Sequence, residues 1–205
     1  MVQPAKRFRV RRIGSSTPLA ILAIILAGVL FATGCGQQDT QSDAESQPEA
    51  TTSEAILLPQ EALVGLDVVQ TYFPEIEQQT ATSENSTASG TPDATRMVIY
   101  EGGDGRRITV SVDRYPSTDA AATAFEQAID KSEVVPGFAA LPAPADVGDK
   151  AFAGSVTQGD DTHIGYGALA GEYVIGVTSA GYPATTENVE KLAGLTRDAV
   201  EKATA

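Results

Sequence analysis

The chain contains one cysteine, Cys35, and it stands directly after an apolar run that itself follows a basic N-terminus. That arrangement divides the chain before any fold is considered. Lys6, Arg7, Arg9, Arg11 and Arg12 precede the almost wholly apolar stretch 19–32, and no acidic residue occurs before Cys35. The run is shorter than the about 20 apolar residues that cross a bilayer core. Basic, then apolar, then small is the order of a secretory signal segment. Whatever folds must therefore lie beyond Cys35, and with no second thiol it must hold together without a disulfide.

The junction Phe31-Ala32-Thr33-Gly34-Cys35 resembles the lipobox of bacterial lipoproteins, with Ala32 where that family prefers Leu. The resemblance implies that residues 1–34 are a signal peptide and that the bond before Cys35 is cut. It also implies that the Cys35 thiol carries a diacylglyceryl group and that the new N-terminus is acylated. A chain so modified is expected on a membrane through its lipid anchor, with its domain on the extracytoplasmic side of the cell envelope. Each buried CH₂ contributes about 0.8 kcal/mol, so two or three acyl chains hold a protein there almost irreversibly. A thiol consumed by lipid is no longer a nucleophile or a metal ligand.

Five of the 14 basic residues fall before Cys35, which leaves nine against 27 acidic ones and a formal charge of −18 for the remainder. Such a surface is repelled by nucleic acid, so no nucleic-acid partner is expected. Residues 35–55 comprise the expected lipid-bearing cysteine and a Gln/Ser/Thr/Asp/Glu-rich stretch with no large apolar side chain. That stretch cannot bury enough surface to offset the entropy of ordering it. It reads as a disordered tether with a reach of about 25 Å. From Ile56 to Ala205 the composition turns globular, and that length suits one domain with one core.

Along this domain the pattern predicts short helical stretches at 60–64 and after Asp67, with Asp67 as N-cap and an end before Pro74. Residues 78–95, rich in Thr, Ser, Asn and Gly, read as a mobile loop. A hairpin joins 96–100 to 107–113 across Gly- and Asp-bearing turn residues, with Ile108, Val110 and Val112 on its buried face. Pro116 ends that strand, and Ser117 or Thr118 caps a helix to about Lys131. Its packing stripe is Ala121, Ala124, Phe125, Ala128 and Ile129. A loop with Pro136, Pro142 and Pro144 follows. Strands at 151–157, 162–169 and 172–178 come next, then a helix starting at Thr185 or Thr186 with Val189, Leu192 and Ala193 on one face. These elements specify an α+β fold, a central antiparallel sheet of about five strands with helices packed on its faces.

A strand ending near Tyr115-Pro116-Ser117 leads into an Ala/Phe helix. The turn Val147-Gly148-Asp149-Lys150-Ala151-Phe152, a hairpin and a final helix follow. Over residues 96–203 this combination resembles a group of small actinobacterial lipoproteins. Their domain is related to the extracellular sensor of some serine/threonine kinases and, more distantly, to the P-subunit of photosystem II. The resemblance implies an antiparallel sheet with helices on its faces. It also implies a role in ligand or partner binding at the cell surface.

Catalytic residue sets are not apparent. His163 is the single histidine, and the chain has no Gly-x-Ser-x-Gly elbow and no Ser-x-x-Lys to accompany it. One histidine and no free thiol cannot supply the usual zinc ligands, so no metal and no cofactor is expected. Gly159-Asp160-Asp161 and Gly103-Asp104-Gly105 lack calcium-loop spacing and read as hairpin turns. Gly165, Gly167 and Gly176 lie mid-strand, where glycine leaves backbone bare. Gly165 and Gly167 share the face of His163, and the three form a candidate ligand surface. The expectation is a non-catalytic, sensor-like envelope lipoprotein with a protein or small-molecule ligand. The alternatives are a lipid or glycolipid carrier, which needs a cavity between sheet and helices, and a hydrolase using carboxylates among Asp104, Asp113, Asp149 and Asp161.

Overall fold

The computed structural model describes residues 58–86 and 92–205. The expected signal segment 1–34, Cys35 and the expected tether 36–55 lie outside the described residues. Seven strands form one sheet: β1 (Ile76–Ser86), β2 (Ala94–Gly102), β3 (Arg107–Arg114), β4 (Phe138–Leu141), β5 (Lys150–Gln158), β6 (Asp161–Ala170) and β7 (Tyr173–Ala180). Their order across the sheet is β1-β2-β3-β7-β6-β5-β4, and every neighbouring pair is antiparallel. Two consecutive meanders thus meet at the β3–β7 pair. Helix α1 (Leu66–Tyr72) precedes the sheet, α2 (Thr118–Glu133) joins the two meanders and α3 (Thr186–Thr204) closes the chain.

Alternation along the strands sorts side chains onto two faces. One carries Val98, Tyr100, Ile108, Val110, Val112, Ile164, Tyr166, Ile175 and Val177 into the main core, where Val69 of α1 and Leu192, Leu195 and Ala199 of α3 cover them. The other face carries a smaller cluster, Tyr115, Leu169 and Val174 beneath Ala121 and Phe125 of α2. Two layers of helix on a single antiparallel sheet confirm the α+β expectation. The buried Tyr100 and Tyr166 hydroxyls donate to the carbonyls of Val64 and Pro144, which satisfies polar groups that burial would otherwise leave unpaired.

The sheet has seven strands rather than about five, because both edge strands lie in segments whose sequence reads as loop. Residues 78–95 are not a mobile loop: Ile76–Ser86 is β1, and β2 begins at Ala94. Both faces of β1 are exposed from Glu77 to Glu84, so the strand needs no apolar period, and its pairing with β2 supplies its backbone partners. Shifts in register at Glu77 and Thr80 mark bulges, a common guard on an edge. Likewise β4 lies inside the proline-bearing segment. Pro136 and Pro142 flank it without interrupting its ladder with β5. Asp67 is not the cap of α1; Gly65 holds that place, and Asp67 sits in the first turn, where a negative charge suits the helix dipole. The other caps fall on Ser117 and Thr185, each accepting from the backbone N–H three residues on.

Candidate functional site

The register places the candidate residues in cross-strand rows on the α2 face. Gly165 of β6 lies between Gly154 of β5 and Thr178 of β7, and Thr178 is followed by Thr109 of β3. In the next row Gly167 lies between Phe152 and Gly176, followed by Ser111. These small side chains make a floor with almost no relief. Helix α2 lies over its β5–β6 side, because an alanine-rich stripe allows a close approach. Phe125, Ala128, Ile129 and Ser132 of α2 face Phe152, Gly154, Gly165 and Gly167 across an apolar cleft. Gly165 and Gly167, expected to share a face with His163, do so, and both line this cleft.

Phe138 of β4 completes the outer end. Its ring lies over Gly154, where any Cβ would strike it, and it stacks on Phe152 with ring centroids 6.0 Å apart. Ser132 is almost wholly buried, and its hydroxyl donates to the Ala128 carbonyl one turn back in α2. Periodicity pointed to Ala128 and Ile129 but not to Ser132, although it continues the same stripe by one turn. The cleft's interior has room for about one water molecule. A lipid carrier would need a far larger enclosed volume, and this void does not provide it.

His163 stands two residues before Gly165 on β6, in the row of Val156, Ala180 and Arg107, beyond the cleft lining. It is half-buried, and its Nδ1 is buried without a hydrogen-bond partner. Burial lowers its pKa, Asp161 opposes that and Arg107 adds to it, so the ring is held neutral near neutral pH. Arg107 in turn forms an ion pair of 2.8 Å with Glu101. His163 is therefore near the glycine floor but separate from the residues that meet α2.

The carboxylates do not assemble. Asp113 is 7 % exposed, and burial pushes its pKa up to about 6 against a lowering contribution from the Thr95 hydroxyl. Asp149 accepts from the Gly171 N–H at 2.8 Å, next to a row that runs from Lys150 through Leu169 and Val174 to Asp113. Three strand spacings of about 4.8 Å separate the ends of that row, more than two working carboxylates of a glycosidase tolerate. Asp104 lies in the turn between β2 and β3 and Asp161 begins β6, both at the opposite end of the strands. No group of three or more metal-ligating side chains occurs among the described residues, and none of their helices is long and apolar enough to cross a membrane.

No family model and no curated protein matches the sequence. Among solved structures, the extracellular domain of PknH from Mycobacterium tuberculosis matches with a TM-score of 0.54 at 15 % identity, over 73 % of this chain and 99 % of that one. A GTP binding regulator from Thermotoga maritima matches with a TM-score of 0.35 at 13 % identity, over 70 % and 91 % of the two chains, too weakly to carry an argument. The fold is thus similar to that of the PknH extracellular domain.

Proposed function

We propose that this chain is a cell-envelope lipoprotein whose domain binds a ligand or protein partner without catalysing a reaction. The observation that carries the reading is the glycine-floored apolar cleft beneath α2. Gly165 and Gly167 present bare backbone to α2, and Phe125, Ile129 and Phe152 supply the apolar walls. Glycine in mid-strand weakens a sheet, so Gly165 and Gly167 in adjacent rows need a compensating use. The likeness to an extracellular domain supports an extracytoplasmic place for that use. The lipobox-like junction at Cys35 supports anchoring by lipid.

Two experiments test this. In the first, the full chain is expressed in a bacterial envelope, extracted gently and weighed by native mass spectrometry. A reproducible added mass that leaves on denaturation, and that Gly165→Val abolishes while the domain stays folded, is the expected result. A bare protein mass across several hosts, with no partner co-purified by chemical cross-linking, overturns the binding reading. In the second, Cys35→Ala is expected to abolish acyl labelling and membrane association. Unchanged labelling would remove the lipoprotein reading and leave the domain's binding role to stand alone.

A further inference from the structure

The two edges of the sheet differ in character. β1 is polar on both faces and bulged, whereas β4, at the other end, is apolar and in regular register with β5. Residues 134–145 around β4 hold no charged or polar side chain, in a chain with 27 acidic residues. Val134, at the end of α2, is 81 % exposed, and Ala139 and Ala140 are exposed as well. Pro136 and Pro142 keep the strand short, which limits what pairs with it but leaves its outer edge open.

The backbone of that edge is selective. Thr157 donates to the Gly137 carbonyl, so antiparallel alternation turns the amides of Ala139 and Leu141 to β5 as well. Phe138 and Ala140 turn theirs outward, and the Phe138 N–H donates to the Val135 carbonyl at 3.0 Å. Three groups are left for a neighbour: the Phe138 carbonyl, and the N–H and carbonyl of Ala140. An antiparallel strand satisfies them all when one of its residues lies opposite Ala140 and the next but one opposite Phe138, each with an N–H. A second copy of β4 makes at most two such bonds, because Pro136 and Pro142 lack an N–H and that of Phe138 is taken.

Side chains opposite Ala140 and Phe138 fall on the α2 face. Ala140 stands in one row with Gly154 and Gly165, beside the Phe138 ring that stacks on Phe152. Both positions favour bulky apolar side chains. The flanking charges favour a basic partner. Lys150 is paired with Glu126 and Asp146 with Arg197, which leaves Asp130, Glu133 and Asp149 against Lys131. We propose that β4 receives an extended segment of a partner protein as an eighth strand of the sheet. That segment has apolar side chains at two alternate positions, no proline at either, and Lys or Arg beside them. The inference deepens the partner-binding reading above and rests on it, but its contact is the sheet edge rather than the cleft.

Random twelve-residue peptides displayed on phage and panned against the full chain test this. Enriched peptides are expected to carry the alternating apolar pair flanked by basic residues. For a synthetic copy of the strongest, Ala140→Pro is expected to weaken binding about tenfold, from one lost hydrogen bond and the bulk of the ring. That proline replaces an outward N–H, so the β4–β5 ladder keeps its bonds. N-methylation of the peptide reads the edge without altering the protein. It is expected to abolish binding at the residues opposite Ala140 and Phe138, and to be tolerated at the residue between them. Glu133→Lys is expected to weaken binding of the basic peptide and to reduce its salt dependence. The proposal is overturned if no peptide family is enriched, if enriched peptides are acidic, or if N-methylation is tolerated alike at all three positions. It is also overturned if folded Ala140→Pro binds as the parent does; loss in Gly165→Val would then move the site to the cleft and spare the binding reading. Two further outcomes overturn it when no peptide binds. Self-association that Ala140→Pro removes would make the occupant a second copy. Binding of the Cys35→Ala chain to phosphatidylcholine vesicles, removed by Val134→Asp, would make it a membrane.

Discussion

Thr95 and Asp113 face each other across the β2–β3 ladder, and the threonine hydroxyl is the hydrogen-bond partner of a carboxylate that is 7 % exposed. Burial lifts the folded-state pKa to about 6 from an ordinary 3.8. A raised value on an acid means that the folded state holds the proton more tightly than the unfolded chain. Its contribution is therefore fully present below about pH 4, declines as the pH rises to about 6 and stays lost above. Linkage over that interval amounts to at most about 3 kcal/mol, of which about 1 kcal/mol falls between pH 5 and pH 8. Asp113→Asn is expected to flatten this part of the profile and to be at least as stable as the parent at pH 8. Urea unfolding of both proteins at the two pH values measures it, and an Asn variant with the parent's slope would contradict it.

His163 acts with the opposite sign. Its folded-state pKa lies below the ordinary 6.5 because burial disfavours the imidazolium, with Asp161 opposing. The folded state then binds a proton less readily than the unfolded chain, so this contribution is present above about pH 6.5 and is lost as the pH falls. Removing the opposing charge in Asp161→Asn is expected to lower the His163 pKa further. An NMR titration of the ring protons reads both values directly. A pKa at or above 6.5 in the parent, or a rise in the variant, would show that the buried Nδ1 is stabilised by something other than its surroundings in β6.

The sequence turn Gly148-Asp149 has a specific physical cause. Gly148 adopts φ +67°, and a Cβ there would run into the Leu169 carbonyl. Asp149 donates its own N–H to that same carbonyl at 2.7 Å and accepts from the Gly171 N–H. The dipeptide thus fastens the start of β5 to the β6–β7 turn. Gly148→Ala is expected to cost about 2 kcal/mol or more, from left-handed backbone and overpacking together. Thermal unfolding measures the loss, and a neutral variant would mean that the turn relaxes at no cost.

These cases mark what was legible in the residues alone. The β2–β3 hairpin, the caps at Ser117 and Thr185 and the meander β5–β7 have local causes: alternation, turn glycines and hydroxyl caps. The edge strands β1 and β4 do not, since β1 is polar on both faces and β4 is four residues between prolines. Each is a strand because a neighbour offers it a ladder, which no window of sequence contains. The same limit applied to the candidate site. Parity along β6 put Gly165 and Gly167 on one face, but the partner rows that add Gly154, Gly176 and Ser111 depend on register. The burial of Asp113 was hidden for that reason too, because a carboxylate at the end of an alternating strand reads as solvent-facing.

Phe125 is the residue on which α2 depends most. It is 1 % exposed and is the largest side chain that α2 contributes to the small cluster. Truncating a buried phenylalanine costs about 3–5 kcal/mol where the site cannot collapse. The lower end is expected here, since the adjoining cleft already gives one wall of this site room to move. Because few other contacts hold α2, Phe125→Ala should release that helix before the rest of the fold. Limited proteolysis is then expected to cut within 118–133 while α3 and the sheet stay intact. Leu192→Ala, which opens the main core instead, should expose all elements together. Equal protection of α2 and α3 in the Phe125 variant would mean that the two layers unfold as one unit, and that the small cluster is tied to the main core through the sheet more tightly than its size suggests.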